Sequence, residues 1–340
     1  TWETVTQMDF GFDASFLNNR LTGTFDWYRR NTKDMLVAGA TLPATLGASV
    51  PKSNSADMKT IGWELSLGWN DRLENGFSYW VKGVLSDYQA TITKYAGNDA
   101  GFYSQSDGDG KYYVGQKIGE IWGYHSNGLF QSDDEAATID QSELYAGKWG
   151  AGDVKYEDLD NDGKITKGEE TIYNPGDKSI IGNKTPRYQF GITVGFDYKN
   201  FDFEMFWQGT GKRDYMLSGA QFWGFTSQWD VPYTPALDYW TETNTDAYFP
   251  RPGWQNGGNR VTSDRYLQSA AYGRLKNLTV GYTIPKNLTT KWGISRLRLY
   301  VTGENLLTIT PLNDAFDPET LGGMTYPINR KVAIGLNLTL

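Results

Sequence analysis

Nine times along this chain, apolar or aromatic side chains occupy every second position for about the length a tilted strand needs to cross a bilayer. A strand turns alternate side chains to opposite faces, so such a run presents one apolar face and one polar face. The reading is an all-β antiparallel transmembrane barrel wall. Average hydropathy hides it: the mean is -0.55 and 39% of residues are hydrophobic. No stretch approaches the roughly 20 continuous apolar residues of a membrane-spanning helix. A barrel strand shows lipid only every other residue, so the mean looks soluble although one face is not. The 13 Trp, 22 Tyr, 16 Phe and 39 Gly fit a barrel with aromatic girdles, and they also fit a large secreted β protein.

Taken in order, the predicted lipid-facing positions are Met8 to Phe16, Leu21 to Trp27, Ile61 to Trp69, Phe77 to Leu85, Tyr188 to Tyr198, Phe201 to Trp207, Leu278 to Tyr282, Leu297 to Val301 and Val332 to Leu340. Tyr188 and Tyr198 bracket Ile192 and Val194, an interface, core, interface profile. The intervening polar residues, among them Asp9, Asp13, Asp26, Glu64, Asp202, Glu204 and Asn337, are predicted to line the lumen, and their acidic bias disfavours polyanionic cargo. Connections give an independent check. Counting back from a periplasmic C-terminus, the periplasmic links are the short ones, 17–20, 70–76, 199–200 and 285–295. The external links are the long ones, about 31–57, 89–186, 211–271 and 307–328. Strict alternation of short and long is what a membrane barrel requires.

An odd number of strands cannot close an up-and-down barrel, and open edges in lipid are costly. Large plugged barrels use about 22 strands. The chain therefore reads as roughly the C-terminal nine strands of such a barrel. On this reading the remaining strands, plug and N-terminal region lie outside these residues, and residues 1–340 alone do not insert stably. The start, Thr1 to Thr4, lacks a basic and then apolar leader, which also reads as a piece of a longer protein.

Several functions are excluded. Cysteine is absent, so no thiol chemistry is available. A net charge of -8 argues against a nucleic-acid partner. His125 is the only histidine, so a multi-histidine metal site is impossible, and it reads as a satisfied loop residue. No motif singles out a carboxylate pair for glycoside hydrolysis, and the chain does not read as an enzyme.

One motif carries chemistry. Asp158, Asp160 and Asp162, with Gly163 for the turn, the backbone carbonyl of Lys164, Thr166 and Glu169, fall at calcium-loop positions 1, 3, 5, 7, 9 and 12. Hard cations need six to eight oxygens, and three carboxylates within five residues repel one another unless a cation offsets them. The expectation is a structural Ca²⁺, with Mg²⁺ as its substitute, pinning the long link 89–186; the flanks do not read as EF-hand helices. A solvated acidic turn is the alternative. Six external aromatics, Trp122, Tyr124, Trp149, Trp223, Phe225 and Trp229, are candidate stacking surfaces for a solute, and the same residues suit loop packing.

Ordered segments along the whole chain resemble the C-terminal part of SusC/RagA-like TonB-dependent outer-membrane transporters. They include Trp2-Glu3-Thr4, Gly11-Phe12-Asp13, Asn18 to Leu36, Ile61 to Leu65, Gly128 to Ser132, Gly152 to Ile165 and Ile181 to Pro186. Tyr272 to Pro285, Gly303 to Leu306, Asp317-Pro318-Glu319 and Tyr326-Pro327 complete the series. The stretch around Trp240, Thr243 to Ala247 and Phe249 to Arg251 also resembles the family and is assigned to structure. Leu340 departs from the aromatic that usually ends such barrels. The resemblance implies a cell outer-membrane location in a Gram-negative bacterium and active uptake of a nutrient oligomer, an oligosaccharide first and a peptide second. It also implies a SusD-like surface lipoprotein partner, a plug, and energy from TonB acting on a segment outside this chain. Two other readings use the same residues: a secreted calcium-stabilised carbohydrate-binding β protein, soluble without detergent, and a surface adhesin or structural barrel without the lipoprotein partner.

Overall fold

The computed structural model describes residues 2–38, 45, 47, 51–96, 98, 100–102, 112–253, 256–321 and 326–340. Parts of the external links predicted at 31–57, 89–186, 211–271 and 307–328 lie outside the described residues.

Nine long strands form one antiparallel sheet in which each strand pairs with its neighbour in sequence. They are β1 (Thr4–Phe16), β2 (Leu21–Ala38), β3 (Lys52–Arg72), β4 (Ser78–Tyr95), β5 (Arg187–Tyr198), β6 (Phe201–Lys212), β7 (Tyr272–Thr283), β8 (Arg296–Ile309) and β9 (Lys331–Thr339). This is the up-and-down order of a barrel wall. No described helix is long and apolar enough to cross a membrane, and the crossing elements are strands.

Register carries the apolar face from strand to strand. Phe12 pairs with Phe25, Phe25 with Leu65, Leu65 with Leu85 and Leu85 with Phe190. Nearer the other end, Tyr79, Phe196, Phe203, Val280, Val301 and Ile334 form a second unbroken row. A one-residue slip at any pairing would throw apolar side chains into the lumen, so the alternation fixes the register. Ile334 is 84% exposed and Phe10 67%, values that suit a surface meeting lipid rather than water. The ten steps from Tyr188 to Tyr198, at about 3.3 Å each and a tilt of about 40°, span about 25 Å of depth, the height of a barrel's apolar band.

Several strands outrun the predicted ones at the external end. β2 and β3 stay paired as far as Ala38 with Lys52, and β3 and β4 as far as Ala56 with Tyr95. Here consecutive residues such as Lys52, Ser53, Asn54 and Ser55 are polar, so alternation is lost while the backbone ladder persists. Above the bilayer water solvates both faces, and hydrogen bonding alone keeps the strand. The external links are correspondingly shorter than the alternation predicted, beginning near residues 39 and 96.

At the opposite end the turns are tight. Leu17, Asn18 and Asn19 all take left-handed backbone angles between β1 and β2, and Lys199 does so in the two-residue turn between β5 and β6. The exception is the link between β7 and β8, which carries a helical turn at Lys286–Thr289. At the external end a bulge at Lys276 interrupts the pairing of β7 with both neighbours. Bulges re-aim side chains. At this one Lys276 meets Glu319 at 2.9 Å, and two residues before it Arg274 meets Asp317 at 2.5 Å, tying β7 to the last external link.

Candidate functional site: the external cap and the lumen wall

The long external links fold onto one another. Tyr124, Leu129, Val154, Tyr156 and Ile165 come from the link between β4 and β5; Leu217, Phe222, Trp223, Trp240, Phe249 and Tyr266 from that between β6 and β7; Leu312, Phe316 and Leu321 from that between β8 and β9. All sixteen members of this cluster lie in external links, so the cap has a core of its own, apart from the sheet. Its rings meet mostly edge to face, as Trp223 meets Tyr266 at 4.5 Å, a favourable quadrupole arrangement.

Buried polar groups fix how the links join. Asp153, 1% exposed, accepts hydrogen bonds from the Asn259 side chain at 2.8 Å, the Gly150 N–H at 2.9 Å and the Arg251 guanidinium at 3.1 Å. Asn259 Oδ1 in turn accepts from the Val154 N–H at 2.8 Å, and the Tyr156 hydroxyl donates to the Gly258 carbonyl at 2.7 Å. Two links are thus joined through groups that are mutually satisfied, the condition under which buried polarity is tolerated. His125 belongs to the same seam. Its Nδ1 lies 2.7 Å from Asp264 and its Nε2 2.7 Å from Ser179, so both ring nitrogens have partners from different segments.

The acidic loop is ordered by its own backbone. Asp158 accepts from the N–H groups of Asn161 at 2.6 Å and Gly163 at 2.7 Å, and Asp162 accepts from the Lys164 N–H at 2.8 Å. Gly163 takes φ +84°, the left-handed turn for which position 6 was read. The carboxylates that converge differ from the spacing's prediction. Ligand oxygens of Asp158, Asp160 and Asp177 lie within 4.8 Å of one another, and neither Asp162 nor Glu169 joins them. Asp177 is fully buried, accepting from the Leu159 N–H at 2.7 Å and the Thr166 N–H at 2.6 Å. Asp177, rather than Glu169, is thus the third carboxylate of the group; Glu169 is exposed on a turn where its N–H meets the Asn174 carbonyl. The Thr166 hydroxyl lies 3.4 Å from Asp177, beside the group, and Lys164 is exposed and bridged to Asp140. Desolvation and then the charge of Asp162 push the Asp160 carboxyl up; at Asp158 desolvation acts the same way but is outweighed by three backbone N–H donors, which hold it down. The group brings together three hard oxygen donors, part of the six to eight that a calcium ion takes.

The six candidate aromatics divide. Tyr124, 2% exposed, and Trp223, 8%, belong to the cap core, which corrects their reading as open stacking surfaces; irregular loops lack the period that shows which way a ring faces. Trp149 packs on the edge of that core and donates to the Tyr145 carbonyl at 3.0 Å. Trp122 lies flat on Phe102 at 4.2 Å, and Phe225 meets Tyr239 edge-on. Only Trp229 of the six stands clear, 84% exposed. It sits on a tip held by Asp230, whose carboxylate accepts from the Ser227 N–H at 2.7 Å, the Thr226 N–H at 2.8 Å and the Thr226 hydroxyl.

Across the sheet, the polar residues read as lumen-facing share one side. Thr24 donates to Asp13 at 2.7 Å, Asp26 stands opposite Glu64, and Arg298 donates to both carboxylate oxygens of Asp202 through Nε and Nη2. The wall is thus apolar outside and charged inside, as a channel wall requires.

Comparison with known proteins agrees with this architecture. The family model described as "TonB dependent receptor-like, beta-barrel" matches residues 1–306. TonB-dependent receptor P3 of Formosa agariphila is 30% identical across 99% of this chain, and TonB-dependent receptor SusC of Bacteroides thetaiotaomicron is 26% identical across 99%. The alignments take in 34% and 32% of those two relatives, so the chain spans about a third of their length. Among solved structures, that of the RagAB peptide transporter superposes with a TM-score of 0.75 at 21% identity, covering 99% of this chain and 35% of that one. These proteins are named as receptors or transporters, not as enzymes. With an outward apolar band, an inward polar wall and this match along nearly its whole length, the chain belongs to the TonB-dependent receptor-like β-barrel family of the outer membrane.

Proposed function

We propose that this chain supplies wall and external cap to a transporter that takes up a nutrient oligomer across the outer membrane. A SusD-like surface lipoprotein presents the solute, and TonB energises the import by acting on a part of the protein outside these residues, which also provides a plug and the remaining strands. The observation that carries this reading is the two-faced sheet, whose polar side is continuous from the cap to the periplasmic turns. The family membership supports it. Oligosaccharide is the first cargo, because the lumen face is rich in carboxylate and hydroxyl acceptors and donors. Peptide is the second, supported by the fold shared with a protein described as a peptide transporter.

Ca²⁺ held by Asp158, Asp160 and Asp177 pins the link between β4 and β5, with Mg²⁺ the substitute. Any Ca²⁺ role is structural.

The test is deletion of the gene for the full-length protein, followed by growth on plant and algal oligosaccharides or on peptides as sole carbon source, with the tagged protein purified to recover its lipoprotein. Selective loss of growth on one class, with the lipoprotein co-purifying, is expected. Unchanged growth on every class would overturn the uptake reading.

A further inference from the structure

The lumen face repeats one construction. At three places a glycine stands directly opposite an aromatic residue in the register and the ring lies down across it. Tyr28 opposes Gly62, Trp80 opposes Gly195 and Tyr300 opposes Gly335. A Cβ at Gly62 would come within 2.5 Å of the Tyr28 ring, at Gly195 within 2.2 Å of Trp80, and at Gly335 within 2.1 Å of Tyr300. Covering a bare glycine backbone with an aromatic ring stabilises a sheet, and that alone needs no polar edge. The closest counterpart on the outer face uses a plain phenyl, Phe190 across Gly209. These three lumen rings instead carry a hydroxyl or an indole N–H.

A ring laid flat on the wall has one face against backbone and the other toward the lumen, and all three residues remain half-exposed. Tyr300 differs, because the Arg298 guanidinium lies 4.9 Å from its centroid and is itself held by Asp202. Tyr28 and Trp80 carry no such stacked cation among the described contacts. They stand near opposite ends of the wall: Tyr28 is level with Tyr88 through Gly62, and Trp80 is eight residues from Tyr88 along β4, about 26 Å at strand rise. Between them the wall is indented and lined by Asp26, Glu64, Ser66, Ser86 and Gln189 with the apolar Val84, and Lys82 stands between this depression and Trp80. Asp26 directly opposes Glu64, a like-charge pair that costs stability in a sheet. Carboxylates, hydroxyls and an amide in one depression accept and donate hydrogen bonds as a chain of hydroxyl groups demands.

We infer that Tyr28 and Trp80 are stacking platforms at the entry and exit of a lumen track, with Asp26, Glu64, Ser66, Ser86 and Gln189 between them, for a neutral polyhydroxylated chain. The inference rests on the uptake reading and narrows its cargo to oligosaccharide. Flat rings take the apolar face of a sugar, and the acceptors between them take its hydroxyls. A polyanion is repelled by Asp26 and Glu64.

The test uses the full-length transporter with its lipoprotein in cells. The probe is a pool of neutral glucan, mannan and xylan oligosaccharides of five to eight residues, with import read by mass spectrometry. Barrel folding is read by heat-modifiable migration, and barrier integrity by vancomycin sensitivity. Tyr28→Leu and Trp80→Leu are each expected to lower the initial import rate of whichever oligomers the wild type takes up at least fivefold, with folding and barrier intact. Tyr300→Leu is expected to change it less than twofold. If all three variants act alike, or Tyr28→Leu and Trp80→Leu leave import unchanged, the track is overturned and the uptake reading stands. Import loss accompanied by vancomycin leakage would show that the rings pack on the plug instead, again overturning the track. A wild type that imports none of the pool but does import peptides removes the track and the oligosaccharide cargo together.

Discussion

Ile192 and Thr193 are adjacent on β5, at nearly one depth and on opposite faces. Ile192 is four residues from Tyr188 and six from Tyr198, which places it about 10 Å below the external aromatic girdle at the strand rise and tilt used above. It shares its row with Gly83 and Trp207. An arginine there has no lumen to turn to and lies too deep to reach either interface without thinning the bilayer. Ile192→Arg is therefore expected to cost about 2–4 kcal/mol of folding free energy. At 1.36 kcal/mol per decade that is about 30- to 1,000-fold in the folding equilibrium. Thr193→Arg puts the same group into the lumen beside Lys82 and Phe206, its register neighbours. Only like-charge crowding by Lys82 opposes it, below about 1 kcal/mol. The assay is reversible urea unfolding of the full-length protein in lipid vesicles, followed by gel mobility. Equal losses, or a larger loss for Thr193→Arg, would refute the assignment of faces on which every statement about the lumen depends.

Asp177→Asn is expected to abolish the Ca²⁺-dependent rise in thermal stability of the full-length protein, whereas Glu169→Gln leaves it intact; the opposite pattern would restore the ligand set read from spacing. Asn259→Ala leaves Asp153 and the Val154 N–H short of partners in a buried site, so the cap should lose about 1–3 kcal/mol, seen as faster protease cleavage in the links without loss of the barrel band. Thr226 and Ser227 hold Asp230 below the usual carboxylate range, and the Gln131 N–H and Lys155 do the same for Glu135. A carboxyl depressed in the folded state contributes stability that is present above its unfolded value near 4 and lost as pH falls through the lowered value. Nicking at 226–230 should therefore rise only below about pH 4, and a transition nearer pH 6 would contradict this.

What could be read from the sequence follows from where water is. On β5, each side chain meets either lipid or lumen, and alternation from Tyr188 to Tyr198 reports it directly. Past Asn31 on β2 or before Asp57 on β3 both faces are wet, and nothing in residue type marks that the ladder continues. The cap was opaque for another reason. Tyr124 and Trp223 are buried by partners from other links, contacts that no local period announces. Asp177 joins Asp158 across nineteen positions, and the legible signal, the Asp-x-Asp-x-Asp-Gly spacing, marks the turn but not the third converging carboxylate. A cue was available: Asp177 follows Pro175 and Gly176 at the start of a short strand, Lys178–Asn183, which returns the chain to the cap.

The shared core of the three external links has a mechanical consequence. Peeling back the link that carries Phe222 and Tyr266 strips cover from Tyr156 on one side and Phe316 on the other, so a single link cannot be displaced at the cost of its own contacts alone. Opening one of the three hairpins therefore uncovers core side chains of the other two. A load applied at the Trp229 tip is borne by β4 to β9 at once, through the salt-bridged junction of Arg274 with Asp317 as well as through the links' own hairpins.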